Sequence, residues 1–297
     1  MCMRRAVWGC MAKLRLHCGK ICEFDVEIGK KIGYTYIKRF HFKNNGRGAA
    51  VVMGEVISVI SGKGGTGKTT LCAAVATCMA ADGKRVLCID ADIGLRNLDI
   101  ALGMTEQPIV AFTDVIHGHY TLQDATEHLQ LPGLFLLTAP MRENDALVDM
   151  GGFGRMLEQA RREFDYCLID APAGIGTGFR LATRYADRCI VVSTPDPASM
   201  RDAGCAADLL LLDGKEDLQL AVNRVAPKLF SRMELTVDDI MDGVGLPLLG
   251  LVPEDNAVML AAASGNALIL SDDGGAAEAC LRISRRLRGI TMPLMKL

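Results

Sequence analysis

From Glu55 onward, short apolar runs alternate with longer stretches whose apolar residues recur every three or four positions. The runs at 55–60, 85–90, 134–137, 166–170, 189–192, 218–222 and 248–252 are continuous and rich in Val, Ile and Leu. That is the pattern of strands covered on both faces. Helical periods fall at 71–79, 151–163, 176–186, 199–212, 236–242, 255–263 and 275–288. Such alternation predicts an α/β fold: a mostly parallel β-sheet with helices on both faces, in three α/β/α layers. One domain covers 54–297, and its chemistry belongs at the C-terminal ends of the strands.

Residues 1–53 show no sustained period of either kind. They carry eleven Lys/Arg against three Asp/Glu, whereas 54–297 carry 22 against 32. The net charge of −2 thus splits into a basic +8 leader and an acidic −10 body. Arg4, Arg5, Lys13, Arg15 and Lys20 interleave with Trp8 and Leu14, as in an arm for nucleic acid or a membrane. No uninterrupted apolar core of a secretory signal precedes Cys18. The expectation is a basic, disordered N-terminal extension, with Met53 offering an alternative translation start. An acidic body disfavours non-specific nucleic-acid binding, so no nucleic-acid partner is expected.

Half of the 297 residues are hydrophobic, enough for a large core. No apolar run approaches the ~20 residues that cross a bilayer. The eleven cysteines never form C-x-x-C, so metal-ligand spacing is missing. Cys72, Cys78, Cys88, Cys167, Cys189, Cys205 and Cys280 stand singly among apolar residues. They read as small buried hydrophobes in a reducing, cytoplasmic setting.

The chemistry concentrates after the first apolar run. Gly62-Lys63-Gly64-Gly65-Thr66-Gly67-Lys68-Thr69-Thr70 follows a strand and opens an alanine-rich helix, the context that makes G-x-x-x-x-G-K-[ST] a phosphate-binding loop. Glycines let successive N–H groups turn inward, and the helix N-terminus adds partial positive charge. Lys68 would neutralise β/γ-phosphate oxygens, and the Thr69 hydroxyl would ligate Mg²⁺. Asp170 ends the run 166–170 and has the form of a Walker B acid, holding Mg²⁺ through its water shell. Asp92 lies just past the end of the run 85–90, within reach of a water or metal near the γ-phosphate.

The motif with a second lysine after its first glycine, Lys63, resembles the deviant Walker A of the MinD/ParA ATPases. The segment 90–99 (Asp-Ala-Asp-Ile-Gly-Leu-Arg-Asn-Leu-Asp) is similar to that family's switch I. Asp170-Ala171-Pro172-Ala173-Gly174 resembles its Walker B and switch II, with Ala171 where serine is usual. Asn223-Arg224 and Val252-Pro253-Glu254-Asp255 resemble its two base-side segments. The likeness runs from about 55 to 270. It implies an ATP- and Mg²⁺-dependent homodimer that hydrolyses ATP slowly until a regulatory protein partner orders the site. It also implies that Lys63 reaches the partner subunit's nucleotide, with Asp92 positioning the attacking water and Asp90 supporting magnesium or the catalytic arrangement. By the same likeness, Asn97 helps sense the γ-phosphate, Asn223 hydrogen-bonds adenine with Arg224 beside it in the nucleotide site, and Pro253 and Asp255 flank base and ribose.

Within the family, the implied role is a spatial switch in division-site placement. A FlhG-like flagellar regulator would share every motif, and a nucleotide-dependent interaction module with negligible hydrolysis is the alternative of a different class. At the C-terminus, 276–297 sets Cys280, Ile283, Ser284 and Leu287 beside Arg282, Arg285, Arg286 and Arg288. This stripe fits either an anionic membrane surface, giving peripheral attachment at the inner face of the cell membrane, or a last domain helix packed on the sheet. Pro293 and the lack of aromatics favour the second.

Overall fold

The computed structural model describes residues 12–18, 22–31, 34–44, 53–140, 149–271 and 274–295. Where the sequence pattern shows no strand period, the structure has three strands: β1 (Ala12–Cys18), β2 (Cys22–Lys31) and β3 (Tyr34–Asn44). They form an antiparallel sheet of their own in the order β1-β2-β3, with Leu14 opposite Val26 and Phe24 opposite Phe42. In the sequence, Phe24, Val26 and Ile28 do alternate with Glu23, Asp25 and Glu27, a period of two obscured by the basic residues around it. The remainder of 1–52, including the first methionine, lies outside the described residues.

The body begins at Met53. Its strands are β4 (Glu55–Ile60), β5 (Val86–Asp90), β6 (Thr126–Glu127), β7 (Leu134–Leu137), β8 (Tyr166–Asp170), β9 (Arg188–Ser193), β10 (Asp217–Val225) and β11 (Leu248–Pro253). They form one sheet in the order β11-β10-β9-β4-β8-β5-β7-β6, parallel except for the short edge strand β6. The helices are α1 (Lys68–Ala81), α2 (Leu98–Leu102), α3 (Phe112–Ile116), α4 (Met150–Glu163), α5 (Thr177–Arg184), α6 (Pro197–Leu212), α7 (Pro227–Met233), α8 (Val237–Val244), α9 (Asn256–Ala263), α10 (Leu268–Ser271) and α11 (Gly275–Leu287). The pattern reading misses β6, α2, α3, α7 and α10. At seven residues or fewer, each is too short to display a period.

Alternation along β4 shows how the layers arise. Val56 and Ile60 enter a core with Phe153, Phe179 and Leu210 on one face. Ile57 and Val59 enter a second core with Leu71, Met79, Leu102 and Ile283 on the other. Neither core is open to water, so the strands read as unbroken apolar runs.

β4 marks the topological switch point. The chain passes from β4 through α1 to β5, skipping the place later filled by β8, and then builds β9, β10 and β11 on the opposite side. The crevice at such a point opens at the C-terminal strand ends. Strand register brings the strand-end residues there: Asp90 pairs with Asp170, Val59 with Asp170, and Val222 with Ser193.

Helix α11 settles the stripe at 276–287. Ala276, Ala279, Cys280, Ile283 and Leu287 are buried in the second core. A Cβ at Gly250 of β11 would come within 2.5 Å of Ile283, so the helix lies tight against that strand. Its arginines bind the domain itself: Arg286 donates to the carbonyls of Met292 and Leu248, and Arg282 pairs with Glu278 and donates to the Pro293 carbonyl. The stripe is therefore spent on the core. No helix among the described residues is long and apolar enough to cross a membrane. Of the cysteines placed among apolar residues, Cys205 departs from the expectation and is exposed, while the other six are buried.

Candidate functional site

The phosphate loop leaves β4 at Ile60 and enters α1 at Lys68. Gly65 and Gly67 have φ of 81° and 84°, a region that glycine alone occupies without strain. Gly67 has a second reason to lack a side chain, because a Cβ there would lie 2.1 Å from Asn223 Nδ2. At Gly62 a Cβ would fall 2.2 Å from the Asp202 carbonyl oxygen, so α6 abuts the loop. The Ser61 hydroxyl donates to the Lys63 carbonyl at 2.9 Å, closing the turn.

Three residues meet beneath the loop. Lys68 Nζ lies 2.9 Å from Asp170 Oδ1, with the two side chains 8% and 1% exposed. The Thr69 hydroxyl donates to the same carboxylate. Burial pushes the Asp170 carboxyl up, and Lys68 opposes that push. Asp90 is buried beside Asp170 in the sheet register. Burial, followed by the Asp170 charge, raises it to about 6. Asp92 is only partly buried and is raised by desolvation and by Asp90. One lysine thus serves a concentration of negative charge that a divalent cation would relieve. Among the described residues, no group of three or more His, Cys, Asp or Glu could hold a metal by itself. That suits Mg²⁺, which takes one or two carboxylates and completes its shell with phosphate oxygens and water. The residues present fit Mg²⁺ bound to a nucleotide, held by Thr69 and Asp170.

The switch segment is organised by Asp90. Its Oδ1 accepts from the Asp92 N–H at 2.9 Å, and its Oδ2 accepts from Asn97 N–H and Leu98 N–H, both at 3.1 Å. The carboxylate thus ties the two ends of 91–97 together. Asn97 precedes α2 and donates its side-chain amide to the Leu95 carbonyl at 3.3 Å. Leu95 in this segment and Ile175 in the loop after β8 are exposed apolar residues.

The base-side residues converge as the motifs suggest, with more of their polar atoms committed than the motifs imply. A cavity of about 240 Å³ is lined by Thr70, Asn223, Arg224, Pro253, Asp255 and Val258 among others. Asn223 Nδ2 donates to the Thr66 carbonyl at 2.8 Å, bracing the phosphate loop with one of its N–H groups. Asp255 caps α9 by accepting from Ala257 N–H, and its second oxygen accepts from Ala276 N–H. Its carboxylate ties α9 to α11. Arg224 has φ of 56° at a break in the β10–β11 register. Strain of this kind in a non-glycine residue is stored mainly at functional sites.

Lys63 is half-exposed, and its Nζ lies 3.7 Å from Asp196 Oδ1. Asp196 caps α6 by accepting from Ser199 N–H at 3.0 Å. It also accepts from the Thr194 hydroxyl, which is the main cause that holds its carboxyl below the ordinary range. A second cavity, about 330 Å³, lies here between Lys63, Thr66, Asp196, Arg224 and Glu254. The motif reading misses Asp196 and Thr194. The available signal was Asp196-Pro197, a cap residue followed by proline at the first helical position.

A glycine-rich loop between a central parallel strand and a helix, a buried lysine on a strand-end carboxylate and a cavity beside the loop are the features of a P-loop nucleotide-binding protein. Residues 57–269 match the model of the CobQ/CobB/MinD/ParA nucleotide-binding domain, and the chain belongs to that family as a MinD-like P-loop ATPase. It is 35% identical over 246 residues to the septum site-determining protein MinD of Synechocystis, covering 82% of this chain and 92% of that protein. It is 36% identical over 249 residues to MinD of Bacillus subtilis, covering 82% and 93%. Among solved structures, the MinC:MinD cell division complex of Aquifex aeolicus superposes with a TM-score of 0.76 at 34% identity, covering 82% of this chain and 98% of that one. MinD of Pyrococcus horikoshii complexed with Mg-ADP superposes with a TM-score of 0.70 at 26% identity, covering 79% and 96%.

Proposed function

We propose that this chain binds ATP with Mg²⁺, dimerises on it, and hydrolyses it to ADP and phosphate as a switch in division-site placement. The observation that carries the reading is the buried Lys68–Asp170 pair, with Thr69 beside it, directly beneath the glycine loop. Bound there, Mg²⁺ would supply charge neutralisation at the phosphates. The relative crystallised with Mg-ADP and the relatives named as septum-site-determining proteins support nucleotide, metal and process.

The chain's own residues divide the work. Lys68 exchanges its carboxylate for phosphate oxygens, and the backbone N–H groups of Gly64 to Thr70 surround them. Thr69 and Asp170 would hold the metal. Asp92 orients the attacking water, and Asp90 keeps the segment 91–97 in shape for Asn97 to respond to the γ-phosphate. The base enters the cavity between Asn223-Arg224 and Pro253-Glu254-Asp255. Asn223 retains a second N–H and a carbonyl for hydrogen bonding.

Lys63 leaves Asp196 to reach the partner subunit's nucleotide, and the exposed Leu95 and Ile175 become covered when two subunits meet. Asp196 then balances the lysine only in the separated subunit. Turnover is slow and rises when a regulatory protein docks; the MinC:MinD complex of a relative supports a protein partner as such. The setting is cytoplasmic. Any attachment to a membrane surface would use residues outside the α11 stripe, which is already buried. Light scattering and phosphate release with ATP and with ADP test the reading. The wild type doubles its mass with ATP only, and Lys63→Ala loses both doubling and turnover. Normal dimerisation and hydrolysis by Lys63→Ala would remove the trans role of that lysine.

A further inference from the structure

α2 is short, yet both of its ends are fixed. At its start, Asp90 accepts from Asn97 N–H and Leu98 N–H. Along its length Leu98 and Leu102 are fully buried. At its end, Gly103 has φ of 72°, and a Cβ there would lie 2.8 Å from the Gly265 carbonyl oxygen. The last carbonyl of the helix, that of Leu102, meets His128 Nε2 at 2.9 Å.

His128 is a buried residue just after the edge strand β6, and its own N–H donates to the Leu134 carbonyl at 2.8 Å. Its Nδ1 accepts from Gln130 N–H at 3.0 Å and from Leu131 N–H at 3.1 Å. A ring nitrogen that accepts two N–H groups carries no proton. The proton is therefore on Nε2, which donates to Leu102. All the bonding capacity of the neutral ring is used.

We propose that His128 is a positioning residue for hydrolysis, clasping the end of α2 to the β6–β7 hairpin so that Asp90 and His128 together hold the segment that carries Asp92 and Asn97. This rests on the reading above, in which 91–97 responds to the γ-phosphate. The clasp is also pH-sensitive, because a proton added at Nδ1 would face two N–H groups. Burial pushes the imidazole below its ordinary range, with the Leu102 carbonyl opposing. The carboxylates nearby have other engagements. Glu127 of the hairpin accepts from Gly133 N–H, and Asp99 of α2 accepts from Ile100 N–H. β7, with the sequence LFLL, has no titratable residue.

His128→Ala lowers kcat for phosphate release about tenfold, the scale of a slight misplacement of a reacting group. KM for ATP stays within about twofold, since α2 lines neither nucleotide cavity. The amides of 98–104 exchange with solvent faster, and those of α1 do not. His128→Gln, whose amide can still donate to Leu102, restores most of kcat and removes the part of the expected acid fall of wild-type kcat that His128 protonation adds to that of Asp90. Unchanged kcat and unchanged exchange in His128→Ala overturn the clasp, and an acid limb of kcat identical in the wild type and His128→Gln overturns its pH sensitivity. If the wild type releases no phosphate under any condition, the hydrolase reading fails. The exchange comparison still decides the clasp, with unchanged exchange overturning it.

Discussion

Lys68→Met would leave a carboxylate that is 1% exposed without its cation. Removing one partner of a buried pair costs about 3–5 kcal/mol, because the remaining charge loses its compensation and cannot recover water. Here the Thr69 hydroxyl still serves Asp170, which places the loss toward the lower end at mildly acidic pH. The dependence on pH follows from the direction of the shift. Burial already raises the Asp170 carboxyl, and the variant raises it further by deleting the opposing charge. The folded variant then holds a proton that the unfolded chain releases, so stability falls as pH rises through the folded value. Urea unfolding of the nucleotide-free chain, followed by far-UV circular dichroism, should show a deficit at pH 8 larger than that at pH 5. Adding Asp170→Leu removes the stranded charge and should recover most of the deficit. A deficit under about 1 kcal/mol, or one constant across this range, would refute the buried-pair reasoning.

Gly67→Ala forces a Cβ into Asn223 and an unfavourable φ. ATP affinity measured by fluorescent-analogue titration should fall at least about tenfold, while Gly83→Ala, also at positive φ but with nothing within 4 Å, leaves it unchanged. Asp90 is raised to about 6, so it contributes stability present below its unfolded value near 4, lost as pH rises toward 6. Asp90→Asn should remove that portion of the pH dependence of the urea midpoint and cost about 1–2 kcal/mol at pH 7 through a lost acceptor. Of the seven cysteines in 54–297, Cys205 should react first with a maleimide in the native protein, read by peptide mass spectrometry. Cys167, Cys189 and Cys280, with thiols pushed up to about 12 by burial, should react only on unfolding.

Much of the site was legible because its residues sit in short contiguous motifs at strand ends. The strand–loop–helix setting of 55–79 identified Lys68 and Thr69, and the apolar run before Asp170 identified its partner. What the motifs could not convey is how many polar atoms the fold itself consumes. Asn223 and Asp255 were placed at the base cavity, yet one braces the Thr66 carbonyl and the other ties α9 to α11. Those bonds join residues up to 157 positions apart, a separation that no local pattern encodes. The same applies to Lys63, whose partner Asp196 lies in the connection from β9 to α6, and to His128, whose bond to Leu102 joins positions 26 apart. The strands of 12–44 escaped for the opposite reason, since a local alternation was present but diluted by charge. The C-terminal stripe shows the limit of an amphipathic pattern, which is the same whether the apolar face meets lipid or a sheet.

The central claim is that hydrolysis belongs to a two-subunit site. The direct measurement is phosphate release per chain as a function of protein concentration at saturating ATP and Mg²⁺, with light-scattering mass recorded on the same samples. The account predicts a rate per chain that climbs with concentration and levels off where the mass has doubled. A rate per chain that stays constant across concentrations, with the protein remaining a single subunit, would contradict it.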